Sequence, residues 1–157
     1  MKLGSFALRG RMNNMSIDPQ ISEFIGARKL GTLATIKRDG RPQLSNVSYT
    51  YGADTGLVRM SLTGDRAKVK NLQRDSRASM LVQGQDGWLY AVVEGDMELS
   101  AITTEPDDDA AEELVEVYRA VAGKDHPDWD EYRAAMIEQR RLVGRLRISH
   151  GYGLPAR

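Results

Sequence analysis

Leu30-Gly31-Thr32-Leu33-Ala34-Thr35-Ile36-Lys37-Arg38-Asp39-Gly40-Arg41-Pro42-Gln43-Leu44-Ser45-Asn46-Val47-Ser48-Tyr49-Thr50-Tyr51 is the stretch that sets the fold class. Leu30–Ile36 is rich in apolar and β-branched residues, and Arg38-Asp39-Gly40 carries the Asp-Gly pair that turns a hairpin. The chain returns from Leu44 to Tyr51 as the partner strand, with Val47, Tyr49 and Tyr51 in one register. Asn46, Ser48 and Thr50 then face the other way, and Gln43 is counted with them as a polar row. Two readings of that row stay open: a strand face left in water, or a hydrogen-bonding floor for a flat heterocycle.

Beyond the hairpin, Gly52–Gly56 is a second turn and Leu57-Val58-Arg59-Met60-Ser61-Leu62 a further strand. It runs into Gly64-Asp65-Arg66-Ala67-Lys68-Val69-Lys70-Asn71-Leu72, read as an Asp-capped short helix carrying Arg and Lys. The first turn of a helix has unpaired N–H groups and a positive dipole end, so neighbouring cations make it a place for a phosphate. A solvated basic helix is the competing reading of this segment. Ala78–Val82 is a fourth strand, and Asp86-Gly87 turns into a fifth from Trp88 to about Ser100, with a bulge or bend at Glu94-Gly95-Asp96.

Helices follow. After Pro106 and Asp107-Asp108-Asp109, residues Ala111, Leu114, Val115, Tyr118 and Ala122 fall on one face, stopped by Gly123. Asp128 and Glu131 form a capping box, and Trp129, Tyr132 and Met136 continue inward. Leu142, Gly144, Leu146 and Ile148 alternate along a sixth strand. Upstream, Asp18-Pro19 opens a helix over about 18–28 with Ile21, Phe24 and Ile25 inward. Residues 1–15 lack periodicity and read as an N-terminal arm before a single domain over 16–157. The expected fold is mainly β with flanking helices: a small six-stranded antiparallel barrel, closed or nearly so.

Bulk properties exclude several functions. The 157 residues carry a formal net charge of zero, against general polyanion binding and hence against a nucleic-acid partner. Charge is nevertheless segregated: Arg66, Lys68, Lys70, Arg74 and Arg77 cluster, while residues 105–116 hold acids and no cation. There is no cysteine, and His126 and His150 stand far apart without partners, so thiol chemistry is excluded and no metal site is expected. The three aspartates at 107–109 read as helix-dipole partners rather than a cation site. Ser149-His150 lacks a Gly-x-Ser-x-Gly elbow, and there is neither a Gly-x-Gly-x-x-Gly after a strand nor a P-loop. No apolar run reaches spanning length and the N-terminal apolar stretch is too short for a leader, so a cytoplasmic location is expected. Trp88 and Tyr90 either wall a ring system or pack in a core or dimer contact.

The hairpin segment Leu33–Val47 resembles the first hairpin of the pyridoxamine 5′-phosphate oxidase-like split β-barrels. It is most similar to their actinobacterial branch dependent on coenzyme F420, the flavin/deazaflavin oxidoreductase B group. Arg66–Leu72 with Arg74–Ala78, Asp86-Gly87-Trp88, and Ile148-Ser149-His150-Gly151-Tyr152-Gly153-Leu154-Pro155 match that branch in order, from about residue 18 to the C-terminus. The resemblance implies a homodimer of six-stranded split barrels with cofactor sites at the subunit interface. It implies coenzyme F420 as cofactor, FMN being the alternative, and hydride transfer from the reduced deazaflavin to a conjugated small-molecule acceptor. A non-catalytic carrier of deazaflavin, haem or another tetrapyrrole is the rival. By position in the motifs, Arg66 and Lys68 would hold the phosphate with Asn71 assisting. Ser61 and Leu62 would give backbone contacts beneath the ligand, Lys37, Pro42 and Gln43 would approach the ring system, and Trp88 would reach over from the second subunit. The chain ends Gly-Leu-Pro-Ala-Arg, without the Arg-Leu-Ala-Pro type segment of true pyridoxamine phosphate oxidases, which speaks against that substrate. For the proton that accompanies the hydride, Tyr49, Tyr51 and bulk water are the candidates.

Overall fold

The structure is a computed structural model and describes residues 17–153. The expected arm at 1–15, and Leu154 and Pro155 of the C-terminal match, lie outside the described residues. Helix α1 (Pro19–Gly26) is capped by the Asp18 carboxylate, which accepts the Gln20 N–H, with proline at its first turn. Then come β1 (Leu30–Ile36), β2 (Pro42–Ser48), β3 (Thr50–Gly52), β4 (Leu57–Thr63) and α2 (Ala67–Arg74). After these follow β5 (Arg77–Gln83), β6 (Tyr90–Leu99), α3 (Asp109–Ala122), α4 (Trp129–Glu138) and β7 (Arg141–Gly153).

Seven antiparallel strands form one sheet in the order β2-β1-β5-β6-β7-β4-β3. The sequence implied six. The difference is the expected strand Leu44–Tyr51, which breaks at Tyr49. Leu30 to Ile36 pair with Ser48 to Pro42, but Thr50–Gly52 pair with Arg59–Leu57 at the opposite edge of the sheet. Tyr49 is the pivot: its N–H donates to the Lys29 carbonyl at 2.9 Å, its hydroxyl donates to the Ile25 carbonyl at 2.6 Å, and it is 0% exposed. One residue therefore joins the two sheet edges, so the sheet must curl until they adjoin. That makes a barrel split along the β2 edge, with no strand paired to the outer side of β2 among the described residues.

Alternation follows the pleat. Leu33, Met80, Val82, Val93, Met60 and Leu146 point inward and are fully buried, and Ile21 and Ile25 of α1 join that core. A fully buried aliphatic side chain contributes roughly 1.5–3 kcal/mol, so this interior dominates stability. The bend expected at Glu94-Gly95-Asp96 is a register shift in the β6–β7 ladder. A Cβ on Gly95 would run into the Arg147 carbonyl, so the close approach there requires glycine. A second cluster, with Leu114, Val117, Tyr132, Met136 and Val143, seats α3 and α4 against β7.

The acidic run is resolved by pairing. Glu113 bonds Arg145 at 2.6 Å, Glu116 bonds Arg59 at 3.0 Å, and Glu112 bonds Arg133 at 2.6 Å, so much of it binds α3 to the sheet and to α4. One cap differs from expectation. The N-cap of α2 is Arg66 rather than Asp65, and no side chain caps the helix. Asp65 lies exposed in the turn before it.

Candidate functional site

The turn between β4 and α2 is fixed by main-chain bonds. Gly64 N–H donates to the Arg140 carbonyl at 2.9 Å and Arg66 N–H to the Thr63 carbonyl at 3.1 Å. Among the described residues, the N–H groups of Ala67 and Lys68 find no protein acceptor. Nor do Arg66 and Lys68 have a carboxylate partner there. Burial first, then repulsion by Arg66 and Arg141, pushes the Lys68 ammonium below the usual lysine range. Uncapped donors and uncompensated cations together make an anion-ready surface.

Beside it lies a cavity of about 380 Å³ in the split of the barrel. Asn46, Val47 and Ser48 of β2, Ser61 of β4, Lys68 of α2 and Arg141 of β7 line one side. Val117, Tyr118, Val121 and Ala122 of α3 and Tyr132 and Met136 of α4 line the other. No carboxylate and no histidine belongs to this lining. Asn46 and Ser48 of the polar row and Lys68 of the basic helix thus share one cavity, whereas Thr50 belongs to β3 and lies outside this lining, as does Arg66.

Other expected site residues fall elsewhere. Gln43 is not in the polar row of Asn46 and Ser48; pleat parity turns it to the Thr35 side, where its Oε1 accepts Thr35 Oγ1 at 3.2 Å. Asn71, 7% exposed, donates to Thr35 Oγ1 at 3.1 Å and to Gln43 Oε1 at 3.4 Å, and accepts from Arg74 at 3.1 Å. Its amide ties α2 to the first hairpin. Leu62 is core, 1% exposed, so its side chain takes no part in an outer site. Lys37 is in the hairpin turn, 3.9 Å from Asp39. Pro42 lines a separate depression of about 520 Å³ on the outer sheet face with Ala34, Ser79 and Glu94. Trp88 precedes β6 in an exposed loop rather than starting the strand, and is 79% exposed.

The proton candidates separate as well. Tyr49 is sealed in the core, its hydroxyl given to Ile25 and its pKa raised by burial, so it delivers no proton to an outer site. Tyr51 shares a 2.9 Å bond with Ser22 Oγ away from the cavity lining. Sequence reasoning missed Arg141 and Tyr118. Arg141 reaches the site only because β4 and β7 pair with Thr63 opposite it. Tyr118 was assigned to a core face, and it does pack edge-on against Trp129 and Tyr132 while lining the cavity. Among the described residues no group of three metal-ligating side chains forms, and no helix is long and apolar enough to cross a membrane.

Residues 17–152 match the family model described as pyridoxamine 5′-phosphate oxidase. A conserved hypothetical protein of Mycobacterium tuberculosis superposes with TM-score 0.69 at 23% identity, covering 94% of this chain and 89% of that one. An F420 reductase superposes with TM-score 0.64 at 22% identity, covering 87% and 98%. A haem-binding protein of Mycobacterium smegmatis gives TM-score 0.62 at 21% identity, covering 88% of this chain and 55% of its own. At these identities the likeness is one of fold.

Proposed function

Since this chain belongs to the pyridoxamine 5′-phosphate oxidase family, we propose that it is an oxidoreductase that uses coenzyme F420 and reduces a conjugated small molecule. The observation that carries this reading is the pair Arg66 and Lys68, free of carboxylate partners at an uncapped helix start, beside a cavity floored by Asn46, Ser48 and Ser61. That donor set fits a cofactor with a phosphate and a flat heterocycle: cations and amide N–H groups for the first, hydroxyls and a carboxamide for the edge of the second. When bound, the deazaflavin supplies the hydride chemistry. The chain's own residues bind, orient and exclude water; the α3–α4 side of the cavity serves the last task. The F420 reductase of the same fold supports this choice of cofactor. FMN offers a phosphate to the same residues and is the alternative. The absence of histidine from the cavity lining weighs against haem as its occupant.

Parallel titration with F420, FMN and haem, read by fluorescence and absorbance, tests the reading. Saturable binding with preference for F420 is expected, and preference for FMN would overturn that choice. Arg66→Ala and Lys68→Ala should each weaken binding by a charged hydrogen bond's worth, roughly 1.5–3 kcal/mol. Unchanged affinity in both variants would sink the phosphate assignment.

A further inference from the structure

Phosphate binding uses Arg66, Lys68 and the start of α2; it leaves Arg141 without a task and gives the apolar wall of the cavity none beyond excluding water. Arg141 opens β7 opposite Thr63, and its Nε donates only to the neutral Gln139 Oε1, at 3.0 Å. By contrast, Arg59, Arg133 and Arg145 each hold a glutamate within 3.0 Å. Among the described residues Arg141 has no such partner, and it faces Lys68, which it repels. A half-buried guanidinium beside an ammonium, in a cavity without a carboxylate, costs free energy until an anion enters.

Across the cavity stand Val117, Val121, Met136 and the ring of Tyr118. That ring is held in place by edge contacts to Trp129 at 5.6 Å and Tyr132 at 5.1 Å between centroids. The Tyr132 hydroxyl is spent on the Leu114 carbonyl at 3.0 Å, so this wall is aromatic and aliphatic in character.

We propose that Arg141 anchors the acceptor itself, and that the acceptor is an amphipathic anion: a carboxylate on a conjugated apolar body. The planar guanidinium suits a carboxylate through paired N–H bonds, while the body lies against Val117, Val121 and Tyr118. The inference that the occupant is the acceptor rests on the cofactor reading above; the anion-plus-apolar chemistry of the cavity does not.

Isothermal titration with cinnamate and its neutral counterpart cinnamamide tests it. The unmodified protein should bind cinnamate roughly tenfold or more tightly than cinnamamide, as a charged pair requires. Arg141→Gln should erase that preference by weakening cinnamate alone, Arg141→Lys should restore part of it, and Val121→Trp should exclude both probes by filling the cavity. Equal binding of the two probes, no cinnamate binding at millimolar concentration, or a preference that survives Arg141→Gln would overturn the proposal. The same variants are titrated with F420 and FMN. If Arg141→Gln weakens the cofactor as much as it weakens cinnamate, Arg141 serves the cofactor and the proposal fails while the phosphate reading stands. If the unmodified protein binds neither cofactor but keeps its Arg141-dependent preference for cinnamate, the phosphate reading fails and the anion anchor stands.

Discussion

Lys68 sits one residue into α2 with a guanidinium on either side and a cavity in front, and its protonation follows from that setting. Burial and then Arg66 and Arg141 lower its folded pKa from 10.5. With the folded value below the unfolded one, the unfolded chain holds more protons in the interval between them, so stability rises with pH through that interval. Ligand affinity runs the other way. A bound phosphate needs the ammonium, so affinity for FMN or F420 should fall as pH climbs through the lowered pKa, earlier than an ordinary lysine would allow. Lys68→Arg should flatten that fall, because a guanidinium stays charged throughout. Dissociation constants measured from about pH 7 to pH 10 in both proteins check this, and a pH-independent affinity in the unmodified protein would remove Lys68 from the site. Arg66 and Lys68 were legible in the sequence because strand, glycine and basic helix adjoin along the chain. Arg141 was not, since only the β4–β7 register brings it there.

At the scale of elements, the start of α3 shows how a local signal becomes a structural device. Asp108 accepts the N–H groups of Thr104, Glu105 and Ala111 and the Thr103 hydroxyl, at 2.8 to 3.1 Å. Burial alone would raise its carboxyl, but those hydrogen bonds win and hold it at about 2. Its contribution is present above the ordinary value of 3.8 and is lost as pH falls from there toward about 2. Asp108→Ala should cost about 0.5–2 kcal/mol in urea unfolding at neutral pH, and much less near pH 2, where the native carboxyl is itself taking up its proton. An equal cost at both pH values would mean the cap acts through packing alone. The caps of α1, α3 and α4, the Asp-Gly turn and the Gly95 bulge were readable because each depends on a few consecutive residues; the cap of α2 was not. The break at Tyr49 was concealed for a physical reason: Val47, Tyr49 and Tyr51 keep the same alternation while the chain changes partner, so the pattern runs unbroken across the two sheet edges. The acidic run was visible as charge, but its arginine partners come from β4, β7 and α4.

At the scale of the molecule, the outer face of the sheet carries large exposed apolar side chains. Strand register places Leu44, Ala34, Ser79, Glu94 and His150 in one row across five strands, and Asn46, Thr32, Leu81, Val92 and Tyr152 in the next. Leu30 and Leu44 are each 63% exposed on this face, Tyr152 is 47% exposed, and Trp88 lies exposed in the loop leading to β6. Large apolar side chains grouped on a sheet face mark an interaction surface more than a solvent face. A second copy is the occupant that the homodimer reading requires. It is also what would give Pro42 and Trp88, remote from the cavity in one chain, a place beside a cofactor. Leu44→Asp puts a charge on the exposed face of the edge strand β2 and should convert a dimer to a monomer in sedimentation equilibrium at micromolar concentration. The melting temperature of the unmodified protein should also rise with protein concentration, since association stabilises only the folded chain, whereas that of the variant should not. A stable interface needs about 800 Å² from each partner, so a true dimer should resist dilution into the low micromolar range. An unmodified protein that sediments as a monomer there would leave the cavity in the split as a single-chain site, and cofactor affinity in Leu44→Asp would then equal that of its parent.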